Sequence, residues 1–237
     1  MQNQSHTIDT TNTTEIENAN LTRRFFVWVY SWMFAGLLTT GFFAYYAANT
    51  PGFVGLLYSN ELIFWGIVLF QFALVVFIGL KIDSFDVSVS RFLFFVYAAL
   101  NGLIFSGLLL MYTTESITTV FFLTSATFGI MSIYGYTTKK DLTTLGNISI
   151  MALVGIIIAT CLNLFLRSET FMWVLTYVGI LTFVGLTAYD TQKLKRIASS
   201  IDSEESAAKQ SVIGALALYL DFINLFLRLL RLFGKRR

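Results

Sequence analysis

The chain has 237 residues, of which 56% are hydrophobic and only 13% charged, with a net charge of +2 and a mean hydropathy of +0.69. Soluble domains carry about 25% charged residues, so this composition cannot clothe a water-facing surface and suits a chain whose exterior meets lipid. A single cysteine, Cys161, and a single histidine, His6, exclude an intramolecular disulfide, a His/Cys zinc site, a Ser-His-Asp triad and a haem ligand pair.

Residues 1–24 are polar and rich in Asn and Thr, and end in Arg23 and Arg24. They lack the apolar core and small-residue cleavage site of a signal peptide. They read as a flexible polar cytoplasmic tail, ahead of a transmembrane domain over residues 25–237. A membrane span needs roughly 20 mostly apolar residues, and seven runs qualify. They are Phe25–Ala48, Glu61–Leu80, Arg91–Tyr112, Ile117–Tyr136, Gly146–Leu166, Phe171–Tyr189 and Ser211–Phe233. The runs are continuous rather than alternating, which selects helices over a barrel. The fold class is therefore an all-α integral membrane bundle of seven helices. The connections are short, which predicts that consecutive spans pack together. The longest connection is Asp190–Gln210. Cys161 falls inside an apolar run, where a buried packing role is expected.

Lys and Arg in the connections set the orientation. Arg23, Arg24, Lys81, Arg91, Lys139, Lys140, Lys193, Lys195, Arg196 and Lys209 fall on the side of the N-terminus, and only Arg167 falls on the other before the C-terminus. The N-terminus is thus expected in the cytoplasm. Lys235, Arg236 and Arg237 then lie outside, against the rule, unless the last segment is re-entrant; seven full spans is the preferred reading. The basic residues sit in short clusters between apolar runs, which gives no footprint for nucleic acid. Glu61, Glu115 and Glu169 read as solvated charges on the outer side. Asp83 and Asp86 read as surface ion pairs with Lys81 and Arg91. Small residues such as Gly36, Gly102, Gly135 and Gly179 read as close helix contacts.

Ionisable groups at membrane depth are functional candidates by default. Asp221 lies about 15 Å into the last run at 1.5 Å per residue. Gly214, Ala217, Asn224 and Arg228 share its side of the helix, at spacings of seven, four, three and seven. Asp190 ends the sixth run, within GLTAYDTQKLK. The two runs are consecutive and antiparallel, so their carboxylates can meet, although counting places Asp190 near the cytoplasmic boundary and Asp221 deeper. Two carboxylates close together in low dielectric share a proton or recruit a cation. Their hard oxygens suit Ca²⁺, but two ligands bind it only weakly and transiently.

GLTAYDTQKLK and ALALYLDFINLFLRLLRLFG, residues 215–234, resemble the two most typical segments of the Bax inhibitor-1/YccA family. IMSIYGYTTKKDLT, residues 130–143, resembles its bacterial members in particular. The resemblance extends from Arg23 onward. It implies a seven-helix bundle with the last helix central between two groups of three, in a bacterial cytoplasmic (inner) membrane. It implies a pH-sensitive Ca²⁺ leak, with Asp190 and Asp221 as the aspartate pair that senses protons, and no cofactor beyond transient Ca²⁺. Lys81 is similar to a basic residue that latches onto the pair in some relatives, and Asn224 and Arg228 are supporting candidates. Gln71 stands where related bacterial proteins carry an acidic residue. Other bacterial members are partners of a membrane-bound AAA protease, which makes an interaction protein the alternative function. An intramembrane aspartyl protease is disfavoured. Leu218-Tyr219-Leu220-Asp221 lacks the Gly-x-Gly-Asp of such enzymes, and the sole proline, Pro51, leaves no Pro-Ala-Leu turn. The chain is not expected to be an enzyme.

Overall fold

The structure is a computed structural model. It describes the backbone of residues 2–81, 85–201 and 203–237, and side chains from residue 20 onward within these. His6 and Asp83 lie outside the described side chains, as does most of the segment read as a tail. Helices α1 (Gln2–Asn49), α2 (Phe53–Ser59), α3 (Glu61–Lys81), α4 (Val87–Met111), α5 (Thr114–Thr137), α6 (Thr143–Leu166), α7 (Glu169–Ala198) and α8 (Glu204–Phe233) follow in order. Seven are long and apolar enough to cross a membrane, α1 through its Asn20–Asn49 part. Their outward faces carry large apolar groups such as Phe42, Leu62, Met151, Phe165 and Leu181. Such a surface is tolerable in hydrocarbon and not in water.

The helix ends show why the elements stop where they do. Thr113, Ser168 and Ser203 cap α5, α7 and α8 by accepting from Ser116, Phe171 and Ser206 amides, which satisfies amides that lack an intrahelical partner. Glu61, Glu115 and Glu169 stand in first turns, and Lys195, Arg196 and Arg231 in last turns. Both placements suit the helix dipole. The three glutamates thus have a structural role.

The last helix is the centre of the bundle. Leu218, Tyr219 and Leu225 on α8 have no exposed surface, and α8 touches α1, α4, α5 and α7. One group of three is formed by α1 and α3 against α4, the other by α5 and α6 against α7. Some consecutive spans pack together, as short connections predict, namely α3 on α4, α6 on α7 and α7 on α8; beyond these, α1 lies along α4 and α5 lies on α7. The reason is steric. A Cβ at Gly102 of α4 would lie 2.5 Å from the Thr40 carbonyl of α1, and one at Gly135 of α5 would collide with the Ala188 carbonyl of α7. Close backbone approach is what drives association in lipid, where apolar burial alone gives no preference between helices.

Several expectations are corrected. The segment Asp190–Gln210 is mostly helix, and the connection it contains is residues 199–203. Charge marks where the span leaves apolar surroundings, but the helix continues because Thr191, Leu194 and Ala198 remain buried while Lys193, Lys195 and Arg196 face out. The connection before α3 contains the short helix α2, entered through Gly52 at φ 77. Its Tyr58 hydroxyl donates to the Ile104 carbonyl across Gly107. Cys161 is exposed on α6, facing hydrocarbon, because only a narrow side of α6 meets α7. Arg91 lies 4.7 Å over the Trp32 ring and forms no ion pair with Asp86 among the described residues.

The end of the chain resolves the re-entrant alternative. Beyond Phe233 the backbone is extended and pairs with the α4–α5 junction. The Thr113 amide donates to the Lys235 carbonyl at 3.1 Å, and the Arg237 amide to the Met111 carbonyl at 3.0 Å. So α8 crosses fully, and Lys235, Arg236 and Arg237 lie on the face opposite residues 138–142 and 199–203. The latter is called the basic face below.

Gly102→Ala is expected to lower stability in detergent by about 1–3 kcal/mol, since backbone cannot step aside and the clash outweighs the roughly 1 kcal/mol gain in helix propensity. Gly155→Ala, where nothing lies within 4 Å, should be neutral or slightly stabilising in the same thermal melt.

Candidate functional site

The site forms where α7 crosses α8. Leu194 packs at Gly214, and Arg228 lies across Gly179. These two contacts fix an antiparallel register that carries Asp190 alongside residues 217–221. The Asp190 and Asp221 carboxyls are neighbours at this crossing. Asp221 is buried, with 4% of its surface exposed, and its Oδ2 has no hydrogen-bond partner. Asp190 is half-buried, and the exposed Lys193 one turn along α7 is a neighbouring cation.

The helices run further than the apolar runs do. Asp190 is not at the end of its helix, because eight more residues carry α7 about 12 Å further. Asp221 lies about 18 Å from the far end of α8 at the same rise. Both acids therefore lie inside long helices rather than at their ends.

Physical chemistry limits what this arrangement can be. Two carboxyls in contact and away from water cannot both hold a charge cheaply; the stable forms have a proton between them or a cation upon them. A hydrogen bond from one carboxyl to the other also gives the orphan oxygen of Asp221 a role. Among the described residues, no third His, Cys, Asp or Glu joins the pair, so a resident multidentate metal site is not built here.

The α7 side of the pair is held firmly. Besides the Gly135–Ala188 approach, Gly146 of α6 lies under the Tyr189 ring and Gly185 of α7 lies on the Ser149 hydroxyl. Gln192 extends this to the basic face. Its Nε2 donates to the Lys140 carbonyl and its Oε1 accepts from the Leu142 amide, both at 2.8 Å. Lys195 donates to the Tyr136 carbonyl at 2.8 Å, and Arg196 lies 3.5 Å from Asp141. The Thr143 hydroxyl and amide donate to Asp141 at 2.7 and 2.9 Å. Those bonds hold the exposed Asp141 carboxyl below the usual carboxylate range, with Arg196 adding to the effect.

The remaining sequence candidates take other places. Lys81 is exposed at the end of α3, which packs on α4, and forms no ion pair with either aspartate among the described residues. Asn224 donates to the Leu220 carbonyl of its own helix at 2.8 Å. Arg228 is half-buried against Gly179, two turns from Asp221 towards the C-terminal face. Gln71 is buried in α3 with its Nε2 unpartnered.

Sequence reasoning missed two contributors. One is Gln192, whose signal was polar residues continuing at helical spacing beyond Tyr189. The other is the link from α8 to α1, where the Tyr219 hydroxyl lies 2.7 Å from Thr40 Oγ1, itself 2.9 Å from the Ala98 carbonyl of α4. A tyrosine among leucines gives no sign of its partner 179 residues away.

Comparison with known proteins gives a consistent picture. The family model described as "Inhibitor of apoptosis-promoting Bax1" matches residues 22–237. The inner membrane protein YbhL of Escherichia coli strain K12 is 48% identical over 211 residues, covering 88% of this chain and 90% of that protein. A protein of Borreliella burgdorferi is 38% identical over 95% of this chain and 97% of its own length. A membrane protein of Streptococcus pyogenes is 32% identical over 90% and 93%.

Replacing Gln192 with Ala is expected to speed hydrogen exchange at the Leu142 amide about tenfold, the equivalent of one hydrogen bond. The Asp141 bonds favour its charged form, so their contribution is present above the ordinary carboxylate value and lost as pH falls. Exchange over residues 141–143 should therefore rise on acidification below about pH 4, and should rise less in Asp141→Asn.

Proposed function

The chain belongs to the Bax inhibitor-1/YccA family of membrane proteins, and from that premise we propose that it is a proton-gated cation leak of the bacterial inner membrane, conducting Ca²⁺. The observation that carries this reading is the burial of Asp221 in α8 with one oxygen unpartnered, in a register that brings Asp190 of α7 beside it. With a proton between them, the pair ties α8 to α7 and the bundle is closed. When the proton leaves, two charges face each other where little water screens them. The repulsion separates α8 from α7, and the freed carboxylate oxygens become transient ligands for a passing cation. Weak, two-ligand binding fits conduction, since an ion held tightly would not leave.

The inner-membrane location is inferred from the similarity to YbhL, whose name places it there, and from the seven apolar helices. The basic face, with Lys139, Lys140, Lys193, Lys195 and Arg196, supports a cytoplasmic N-terminus. In that orientation the pair senses protons from the cytoplasmic side, because Asp190 is half-exposed near that face and Asp221 lies behind it. Arg24 of α1 pairs with Glu204 at the start of α8 on this same face, so the connection below the pair is also tied to the first helix.

Flux of ⁴⁵Ca into vesicles containing the purified chain is expected to rise with pH, by up to about tenfold per unit for a single proton. In Asp190→Asn/Asp221→Asn the pH dependence should vanish. Flux that keeps its full pH dependence in that variant would remove the mechanism.

A further inference from the structure

A second site lies on the opposite side of α8 from the aspartates. Between α1 and α5 runs a cleft open to the bilayer, with Phe222 of α8 at its floor. Its larger part encloses about 530 Å³. It continues towards the C-terminal face as a second space of about 320 Å³ that shares Leu37, Phe121 and Phe222 with the first. The walls are almost entirely apolar. Two features distinguish this cleft from an ordinary gap between helices.

The first is a hydroxyl. Ser132 lines the larger part, is 6% exposed, and its Oγ has no hydrogen-bond partner. Elsewhere on the buried faces of the spans, Thr124, Thr176, Thr182, Thr187 and Thr191 each bond the carbonyl four residues back. Ser132 does not, so its donor is unspent just beneath the wall of an apolar cleft, where an unmade bond is costly. The second feature is at the end on the basic face. There the Phe26 ring of α1 meets the Tyr136 ring of α5 edge-on at 5.0 Å and bridges the cleft. The Lys195 ammonium stands 4.9 Å over Tyr136, and Arg23 is exposed one turn before Phe26. Charge therefore changes from neutral to cationic within about a turn of Ser132.

We propose that this cleft is a binding site for an anionic phospholipid. One acyl chain lies along Gly129, Phe128 and Phe222, the Ser132 hydroxyl turns from the wall into the cleft to donate to an ester carbonyl, and the phosphate meets Lys195 and Arg23. The sequence of chemistry along the cleft is that of such a lipid: apolar, then one hydrogen-bond donor, then cations. A protein helix fits less well, since a body about 10 Å across exceeds a space whose volume is in the range of single small-molecule sites. A helix would also leave the Ser132 donor unspent, because its carbonyls are already paired.

The glycines supply a clean test. Nothing lies within 4 Å of a Cβ at Gly129, which lines the cleft, or at Gly155, which is on α6 and outside it. Gly129→Leu thus fills the acyl path, and Gly155→Leu is a matched control that a mere loss of stability would not separate. The full chain is reconstituted in phosphatidylcholine vesicles doped with phosphatidylglycerol carrying a photoreactive diazirine on one acyl chain, and labelled peptides are mapped. Labelling is expected to concentrate on residues 125–137 of α5 and to fall severalfold in Gly129→Leu but not in Gly155→Leu. It should fall about fivefold in Lys195→Gln, the pull of one basic residue on an anionic headgroup. Labelling spread evenly over α6 and α5, or unchanged by Gly129→Leu, would overturn the site. Equal labelling from diazirine-phosphatidylcholine would overturn its preference for an anionic lipid, and cross-links from Gly129→Cys to a second protein chain in place of lipid would assign the cleft to a protein partner.

Discussion

The constraint on which the bundle depends is the way three residues of α8 engage four other helices within about one turn. Tyr219 is fully buried among Phe94 and Tyr97 of α4, and its hydroxyl bonds Thr40 of α1. Asp221 faces Asp190 of α7. Phe222 packs edge-on against Phe121 and Phe128 of α5, each at 5.5 Å. A helix engaged on three sides cannot rotate to relieve stress on one of them without breaking the others. The carboxyl pair is therefore held in contact by packing that has nothing to do with charge. Left alone in a flexible chain, two acids would turn apart and hydrate. Held together in a bundle, they must take up a proton or a cation.

Much of this was legible in the sequence, for a reason specific to membranes. A span must satisfy its own backbone and be apolar over its length, so seven runs announce seven helices. Asp221 stood out because a charge at that depth is rare, and the structure shows that Gly214 and Arg228, on its side of the helix, meet α7. Depth was the weaker inference. Ending the sixth run at Tyr189 treats the first charge as the membrane edge, whereas Thr191, Leu194 and Ala198 keep α7 packed for two more turns. Helix adjacency was less legible still. What places α1 on α4 is the absence of a side chain at Gly102, and a glycine in a sequence does not say which of six other helices it faces. The exposure of Cys161 illustrates the same limit, since in lipid an apolar run is equally at home inside or outside.

The two groups of three helices differ in how they are built. On the α5–α7 side, glycine brings backbone or ring into direct contact at Ala188 and Tyr189, and Gln192 ties the 138–142 connection to α7. Contacts of this kind have little slack, because close-packed backbone moves as a unit. On the other side, α8 is joined to α1 and α4 by the Thr40–Tyr219 bond, by aromatic packing and, at the basic face, by Arg24 and Glu204. A division that leaves α8 with α1 and α4 runs between α7 and α8, across the carboxyl pair and the Leu194–Gly214 and Arg228–Gly179 contacts.

That division gives the aspartates and the cleft a common geometry. A plane separating α8, α1 and α4 from α5 and α7 passes through the carboxyl pair on one side of α8 and through the α1–α5 cleft on the other. On the reading of the chain as a proton-gated leak, charge on the aspartates pushes the halves apart along the first line, with the Phe222 contacts with α5 on the cleft side as the pivot. The aromatic bridge from Phe26 to Tyr136 then closes or strains according to the direction of rocking. Whatever occupies the cleft sets how far the halves can turn. On the reading of the chain as a leak, the proton and the lipid act on one motion from opposite sides of the same helix. The proton supplies the force, and the surrounding membrane limits its travel.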